Sequence, residues 1–141
     1  MNIKKIEKGD FLQFFKLLEE ANDTQFDIHH RQRLLGAFEK CTYSVFGYFD
    51  KDELIALIVT LDSFSTTQAK RTLYVEEFYV VPSERGRGVG KTLFDWVIEY
   101  AKVEKYCRIE WRTSRDNADA QKFYSKYSAD TEWKYYVLNI D

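Results

Sequence analysis

Two hydrophobic rhythms alternate along the chain. Period two marks "NIKKI" from residue 2, "YSVFGYF" at 43–49, "ELIALIVTLDSF" at 53–64, "TLYVEEFYVV" at 72–81 and "YCRIEW" at 106–111, and each predicts a strand. The polar turn "DKDE" joins the second and third of these as a hairpin, and 72–81 adds a third strand to the same meander. Helical spacing marks the rest. Gly9-Asp10 supplies a break and an N-cap before Phe11, Leu12, Phe15 and Leu18, and a weaker helix covers 27–40. Leu93, Trp96, Val97, Tyr100 and Ala101 make one apolar face, with Lys91, Asp95, Glu99 and Lys102 opposite. Asn117 caps a helix whose stripe is Ala120, Phe123, Tyr124 and Tyr127, and "EWKYYVLNI" at 132–140 is expected to close the sheet.

The order is strand, two helices, three antiparallel strands, helix, strand, helix, strand. A strand–helix–strand unit over 72–111 implies a right-handed crossover and a parallel pair. The fold class is therefore α/β (α+β), a mixed sheet, antiparallel first and parallel later, in a single domain over 1–141. No repeat, low-complexity segment or linker interrupts it.

Composition narrows the class. With 141 residues, 45% hydrophobic and 17% aromatic, the chain can bury a core without disulfides or metal. Cys41 and Cys107 stand far apart with no CxxC spacing and read as free thiols in a reducing compartment. The N-terminus is too polar for a signal peptide, and the longest apolar run, "LIALIVTL" at 54–61, is far short of a membrane span. The formal charge is −2 with no basic stripe, against a nucleic-acid partner. These features predict a soluble cytoplasmic protein with no membrane association.

The chemistry concentrates in "VVPSERGRGVGKTLF", residues 80–94. A Walker loop needs a glycine five residues before Gly90, and Arg85 stands there. The dinucleotide fingerprint needs a glycine at 91, and Lys91 stands there. What does fit is Arg-x-x-Gly-x-Gly, spelled by Arg85, Gly86, Arg87, Gly88, Val89 and Gly90 between a strand and an amphipathic helix. That arrangement turns helix N-terminal amides toward an anion, lets a pyrophosphate approach the backbone, and adds arginine hydrogen bonds. A plain surface turn would not require three glycines alternating in five residues.

"FYVVPSERGRGVGKTLF" resembles motif A of the Gcn5-related N-acetyltransferases (GNAT), whose loop binds the pyrophosphate of acetyl-coenzyme A. "NADAQKFY", Asn117 to Tyr124, is similar to that family's Asn-x-x-Ala-x-x-Phe-Tyr. Motifs and strand order together cover about 43–140. Within the family, "RTLYVEEFYV" with "IEWRT" and "EWKYYVL" most resembles diamine acetyltransferase-like and yeast histone/polyamine acetyltransferase-like members. Ser128 stands where many relatives carry a glycine, which affects the bend before the last strand.

The resemblance implies an acetyl-coenzyme A co-substrate, no metal, a splayed parallel strand pair, and transfer to a primary amine of a small-molecule acceptor by direct attack in a ternary complex. It assigns cofactor binding to Phe78, Tyr79, Val80, Arg85, Gly86, Arg87, Gly88, Val89, Gly90, Lys91 and Asn117. Backbone at 78–80 pairs with the pantetheine arm, and an N–H near Tyr79 polarises the thioester carbonyl. Tyr124 protonates the departing thiolate: a phenol near pKa 10 holds its proton at neutral pH against a thiol of about 8.5. Glu76 and Glu77 are adjacent on an otherwise apolar strand, pointing to opposite faces. Glu76 aligns with the acceptor-contacting glutamate of diamine acetyltransferases and is expected to bind the amine and relay its proton.

Other polar residues have plainer readings. Adjacent His29 and His30, near Asp27, do not share a helix face as metal ligands would. Asp50 to Glu53 form a solvated turn. Lys122 and Lys126 could meet the cofactor's 3′-phosphate or simply make a polar face. Two other functions stay open on sequence alone: a protein or peptide acetyltransferase, and a non-catalytic coenzyme A-binding module. Many such domains pair through edge strands, so a homodimer is a further expectation.

Overall fold

A computed structural model describes residues 2–128 and 131–141. The chain falls into two compact units, one ending at Trp111 and one beginning at Arg112.

The first unit holds β1 (Asn2–Lys5), α1 (Phe11–Ala21), α2 (Ile28–Glu39), β2 (Ser44–Asp50), β3 (Glu53–Ser65), β4 (Lys70–Val80), α3 (Val89–Val103) and β5 (Ile109–Trp111). The strands form one sheet in the order β1-β2-β3-β4-β5. Neighbours are antiparallel except β4 and β5, which are parallel. This is the mixed α/β sheet that the alternating periods predict.

Strand alternation divides the core into two layers. Val45, Leu57 and Val59 share one face with Phe11, Phe14, Phe15 and Leu17 of α1, and Leu34, Leu35 and Phe38 of α2 pack against that cluster. The neighbouring residue Phe46 points the other way, meeting Trp96 and Tyr100 of α3 at 5.5 and 4.7 Å between ring centroids. Phe78 stacks on Phe94 at 5.7 Å on the same side. Helices therefore cover both faces, as a largely apolar sheet requires. Gln13 fastens α1 to the hairpin: its Nε2 donates to the Asp52 carbonyl and its Oε1 accepts from the Leu54 amide, both at 3.0 Å.

Three local expectations need correction. Leu12 is exposed, and Phe14 and Leu17 are buried in its place, because the inward stripe of α1 is rotated by about one residue. Asp10 precedes α1, yet its carboxylate accepts from the Glu7 amide at 2.9 Å and pairs with Lys4, closing the turn before the helix rather than capping it. The last strand of this unit starts at Ile109 rather than 106, since the Tyr106 amide is held by the Ala101 carbonyl at the end of α3.

In the second unit α4 (Ala118–Tyr124) starts as predicted, with Asn117 Oδ1 accepting from the Ala120 amide at 3.1 Å. Gln121 Nε2 donates to the carbonyls of Ser114 and Arg115, tying the preceding turn to the helix. The expected strand at 132–140 is absent: the described residues from 131 onward form no strand, and Trp133, Tyr136, Leu138 and Ile140 are exposed. Alternation supplies a face but not a partner, and a strand exists only where a ladder satisfies its backbone.

Gly47 is the tight point of the meander. A Cβ there would lie 2.6 Å from Leu54 Cδ1, 3.0 Å from a Phe49 ring carbon and 3.1 Å from Ile6 Cγ2. Gly47→Ala is expected to destabilise the fold by about 1–3 kcal/mol through overpacking. The reading is a lower urea midpoint at unchanged m-value.

Candidate functional site

The loop between β4 and α3 is shaped by two backbone reversals. Gly86 and Gly88 both adopt φ 79°, the left-handed region that side chains disfavour. Gly88 is the N-cap of α3 and brings no side chain to cover the helix end. The first intrahelical bond runs from the Thr92 amide to the Gly88 carbonyl at 2.9 Å, so the amides of Val89, Gly90 and Lys91 precede the helical ladder. Thr92 Oγ1 donates to the same carbonyl at 2.8 Å, a fastening not anticipated from sequence.

Gly90 has a different purpose. A Cβ there would stand 3.3 Å from Phe78 Cζ and 3.4 Å from Val80 Cγ2, whereas nothing lies within 4 Å of one built on Gly86 or Gly88. Gly90 lets α3 settle on β4; Gly86 and Gly88 shape an open cradle.

Three cations surround the cradle. Arg85 Nε donates to the Val80 carbonyl at 2.9 Å, with its guanidinium 5.3 Å from the Tyr79 ring centroid. Arg87 lies 3.6 Å from Glu84, and Lys91 lies 2.6 Å from Asp95. In both pairs the cation is solvent-exposed and the carboxylate half-buried, and such surface pairs are worth about 0–1 kcal/mol each. An arriving dianion can outcompete them, and the residues present fit a pyrophosphate in number, charge and amide direction.

Alongside the cradle, β4 changes character. Its parallel ladder with β5 ends at Val75↔Trp111. On the other side Val59 pairs with Glu77 and Thr60 with Val75, so Glu76 is the extra residue of a β-bulge. Glu76 is exposed and Glu77 half-buried. Pairing with Val59 puts Glu77 on the α1 face, which Tyr79 shares through Leu57. Phe78, paired with Ile58, faces α3. Desolvation pushes the Glu77 carboxyl above the usual carboxylate range; a hydrogen bond from Asn22 opposes this, and the Glu76 charge adds to it. The Tyr79 hydroxyl donates to Glu20 Oε2 at 2.8 Å, and burial followed by that bond raises its pKa. Sequence reasoning found neither Glu20 nor Asn22. Both end a helix about 55 to 60 residues from their partners, a distance no local motif spans.

The second unit carries the other motif. Asn117 serves as helix cap. The Tyr124 ring meets Phe123 edge-on at 5.5 Å, and burial raises its phenol pKa, keeping it protonated at neutral pH. In the first unit, Asp27 caps α2 by accepting from the His30 amide at 2.8 Å, and the His30 ring stacks on Phe26 at 3.8 Å. Among the described residues no group of His, Cys, Asp and Glu has a metal-binding arrangement. Cys41 is exposed and Cys107 half-buried, and both are free. No described helix is long and apolar enough to cross a membrane.

Comparison with known proteins places these features. The model of the acetyltransferase (GNAT) family matches residues 9–128. The chain is 27% identical to the uncharacterized N-acetyltransferase YhfO of Bacillus subtilis (strain 168), over 99% of this chain and 98% of that protein. Its fold is similar to the crystal structure of a probable acetyltransferase, with TM-score 0.90 and 22% identity, covering 100% of this chain and 99% of that one. It is also similar to AAC(6')-Iy in complex with the bisubstrate analog CoA-S-monomethyl-acetylneamine, with TM-score 0.82 and 16% identity over 99% and 97% of the two chains.

The two kinds of glycine are separable by substitution. Gly88→Ala is expected to destabilise by about 1–2 kcal/mol through left-handed strain, and Gly88→Asn by less, because asparagine tolerates that region. At Gly90 the order reverses: asparagine, the larger, is the worse replacement against Phe78 and Val80. Urea unfolding of the four variants reads out both orders.

Proposed function

The chain belongs to the acetyltransferase (GNAT) family and is an N-acetyltransferase; we propose that it transfers acetyl from acetyl-coenzyme A to the primary amine of a small, polyamine-like acceptor. One observation carries the co-substrate: the start of α3, behind two left-handed glycines, offers open amides flanked by Arg85, Arg87 and Lys91. Backbone amides and the helix dipole bind a diphosphate without a metal. The edge of β4 over 78–80, past its last pairing with β5, suits an extended amide-bearing arm that adds like a strand.

A cationic acceptor is favoured by what lies on the α1 face. Glu77 and Glu20 gather there beside Tyr79, whose hydroxyl is held by Glu20 and whose ring lies 5.3 Å from the Arg85 guanidinium. A small polyamine-like amine is the simplest partner of the right charge. AAC(6')-Iy, whose fold is similar, is in complex with the bisubstrate analog CoA-S-monomethyl-acetylneamine, which supports this reading.

Tyr124 is the proposed acid. Its support is the match of Asn117, Ala120 and Tyr124 to the family's spacing, and a phenol that burial keeps protonated. The amine nitrogen bonds to the acetyl carbon, the carbon–sulfur bond breaks, and the sulfur takes the phenol proton. Asn117 stays in the proposed cofactor set beside its capping role. Two free cysteines agree with a reducing cytoplasm. A homodimer through edge strands is part of the same proposal, although the chemistry does not depend on it.

Calorimetry against acetyl-coenzyme A, ATP and NAD is expected to show binding of the first alone; tight ATP binding without it would reject this reading. Thiol release over a panel of amines identifies the acceptor. Tyr124→Phe is expected to keep acetyl-coenzyme A affinity while lowering kcat on the order of 100-fold. Unchanged turnover would remove Tyr124 from its role.

A further inference from the structure

Resting on the acetyl-coenzyme A reading, we infer that Tyr79 and Glu20 are positioning residues that hold Arg85 ready for the diphosphate, through a brace running from α1 across β4 to the cradle. Three contacts make the brace. Glu20 Oε2 accepts from the Tyr79 hydroxyl at 2.8 Å, the Tyr79 ring centroid lies 5.3 Å from the Arg85 guanidinium, and Arg85 Nε donates to the Val80 carbonyl at 2.9 Å.

Its base is firm. Gln13 ties α1 to the β2–β3 hairpin, and Glu19 Oε2 accepts from the Phe26 amide at 2.9 Å, fixing the end of the helix that carries Glu20. Tyr79 stands in β4, paired with Leu57 of β3. Arg85, by contrast, is a solvent-exposed side chain in the turn after β4. An untethered arginine there would spread over many rotamers, and ordering it on a ligand would weaken binding. Lying against a fixed ring with its Nε already engaged, Arg85 has much of that freedom removed beforehand.

The spacer between acid and cation matters as much as its shape. Arg87 and Lys91 each lie against a carboxylate, that of Glu84 or Asp95, and an anion must displace it. Arg85 is held by a carbonyl and a ring instead, and among the described residues no carboxylate forms an ion pair with it. The acid stands one residue removed, on the far side of the phenol. Tyr79 therefore anchors Arg85 to Glu20 without letting the carboxylate compete for the guanidinium. Donating the phenol hydrogen to a carboxylate also enriches the ring in electrons, which strengthens its attraction for a cation. The terminal amino groups of Arg85 are left to meet phosphate oxygens as a fork.

The brace is tested first without ligand, by hydrogen exchange of the Arg85 Nε–H in nitrogen-15 NMR, its signal identified by loss in Arg85→Lys. Exchange is expected to be slow in the wild type and faster in Tyr79→Leu and Glu20→Ala. Glu20→Gln, which can still accept from the phenol, should stay close to wild type. Glu20→Ala reaches the brace from an exposed helix position and leaves β4 untouched. Exchange unchanged in both Tyr79→Leu and Glu20→Ala overturns the proposal.

Calorimetry with acetyl-coenzyme A is the second measurement. Arg85→Ala is expected to weaken binding by about 10–100-fold, through lost charge-assisted bonds to phosphate. Tyr79→Leu should weaken it by about 2–5-fold and add nothing further in the Arg85→Ala background. A Tyr79→Leu loss that persists in full when Arg85 is already gone assigns Tyr79 to the strand edge alone and overturns the brace. If the wild type binds no acetyl-coenzyme A, the co-substrate reading fails, and the exchange of the Arg85 Nε–H alone decides for or against the brace.

Discussion

Everything at the site depends on where β4 stops being paired. A strand inside a sheet has its amides and carbonyls satisfied on both sides, and it offers nothing to a ligand. β4 keeps that condition only as far as Val75, where its ladder with β5 ends. From Glu76 to Val80 it remains joined to β3, with a bulge at the first of these residues. Beyond Val75 its other edge is no longer paired with β5. Arg85 donates to the Val80 carbonyl. The same opening explains why the cradle, the strand edge and Glu77 lie within one short stretch of chain.

The glycines show how one motif can answer several demands. Gly86 and Gly88 satisfy a conformational requirement, since the chain must turn through the left-handed region before α3 begins. Gly90 satisfies a packing requirement, since α3 must sit on Phe78 and Val80 for its first amides to stand beside the strand edge. Phe78 links the two, stacking on Phe94 beneath the helix while its backbone belongs to that edge. Anion site and core are thus parts of one packing arrangement.

Legibility in the sequence followed the range of the interaction. The meander, α3 and the Asn117 cap were readable because each is encoded by residues a few positions apart. The loop was readable because its glycines and arginines are contiguous. Asn22 and Glu20 were invisible: each meets β4 across more than fifty residues, in a helix end that carries no motif. The bulge was equally hidden, because "YVEEFYV" alternates well enough to read as a regular strand. Strict alternation separates Glu76 and Glu77 by face but cannot say which is exposed. The tail at 132–140 misled for the converse reason, presenting the local pattern of a strand among residues that make no ladder.

A half-buried carboxylate is an unusual choice for a strand, because desolvation disfavours its charged form. An ordinary carboxylate and an ordinary amine differ by about 6 pKa units, or roughly 8 kcal/mol against moving the proton. Burial narrows that gap from both ends, raising the acid and lowering the ammonium. Glu77 already shows the first effect, with desolvation as its largest cause and the charge of Glu76 adding to it. Exposed Glu76 acts on its neighbour through charge alone. A hydrogen bond from Asn22 opposes the rise. Of these two adjacent residues Glu76, the extra residue of the bulge, stands in water, and Glu77, paired with Val59, is partly withdrawn from it.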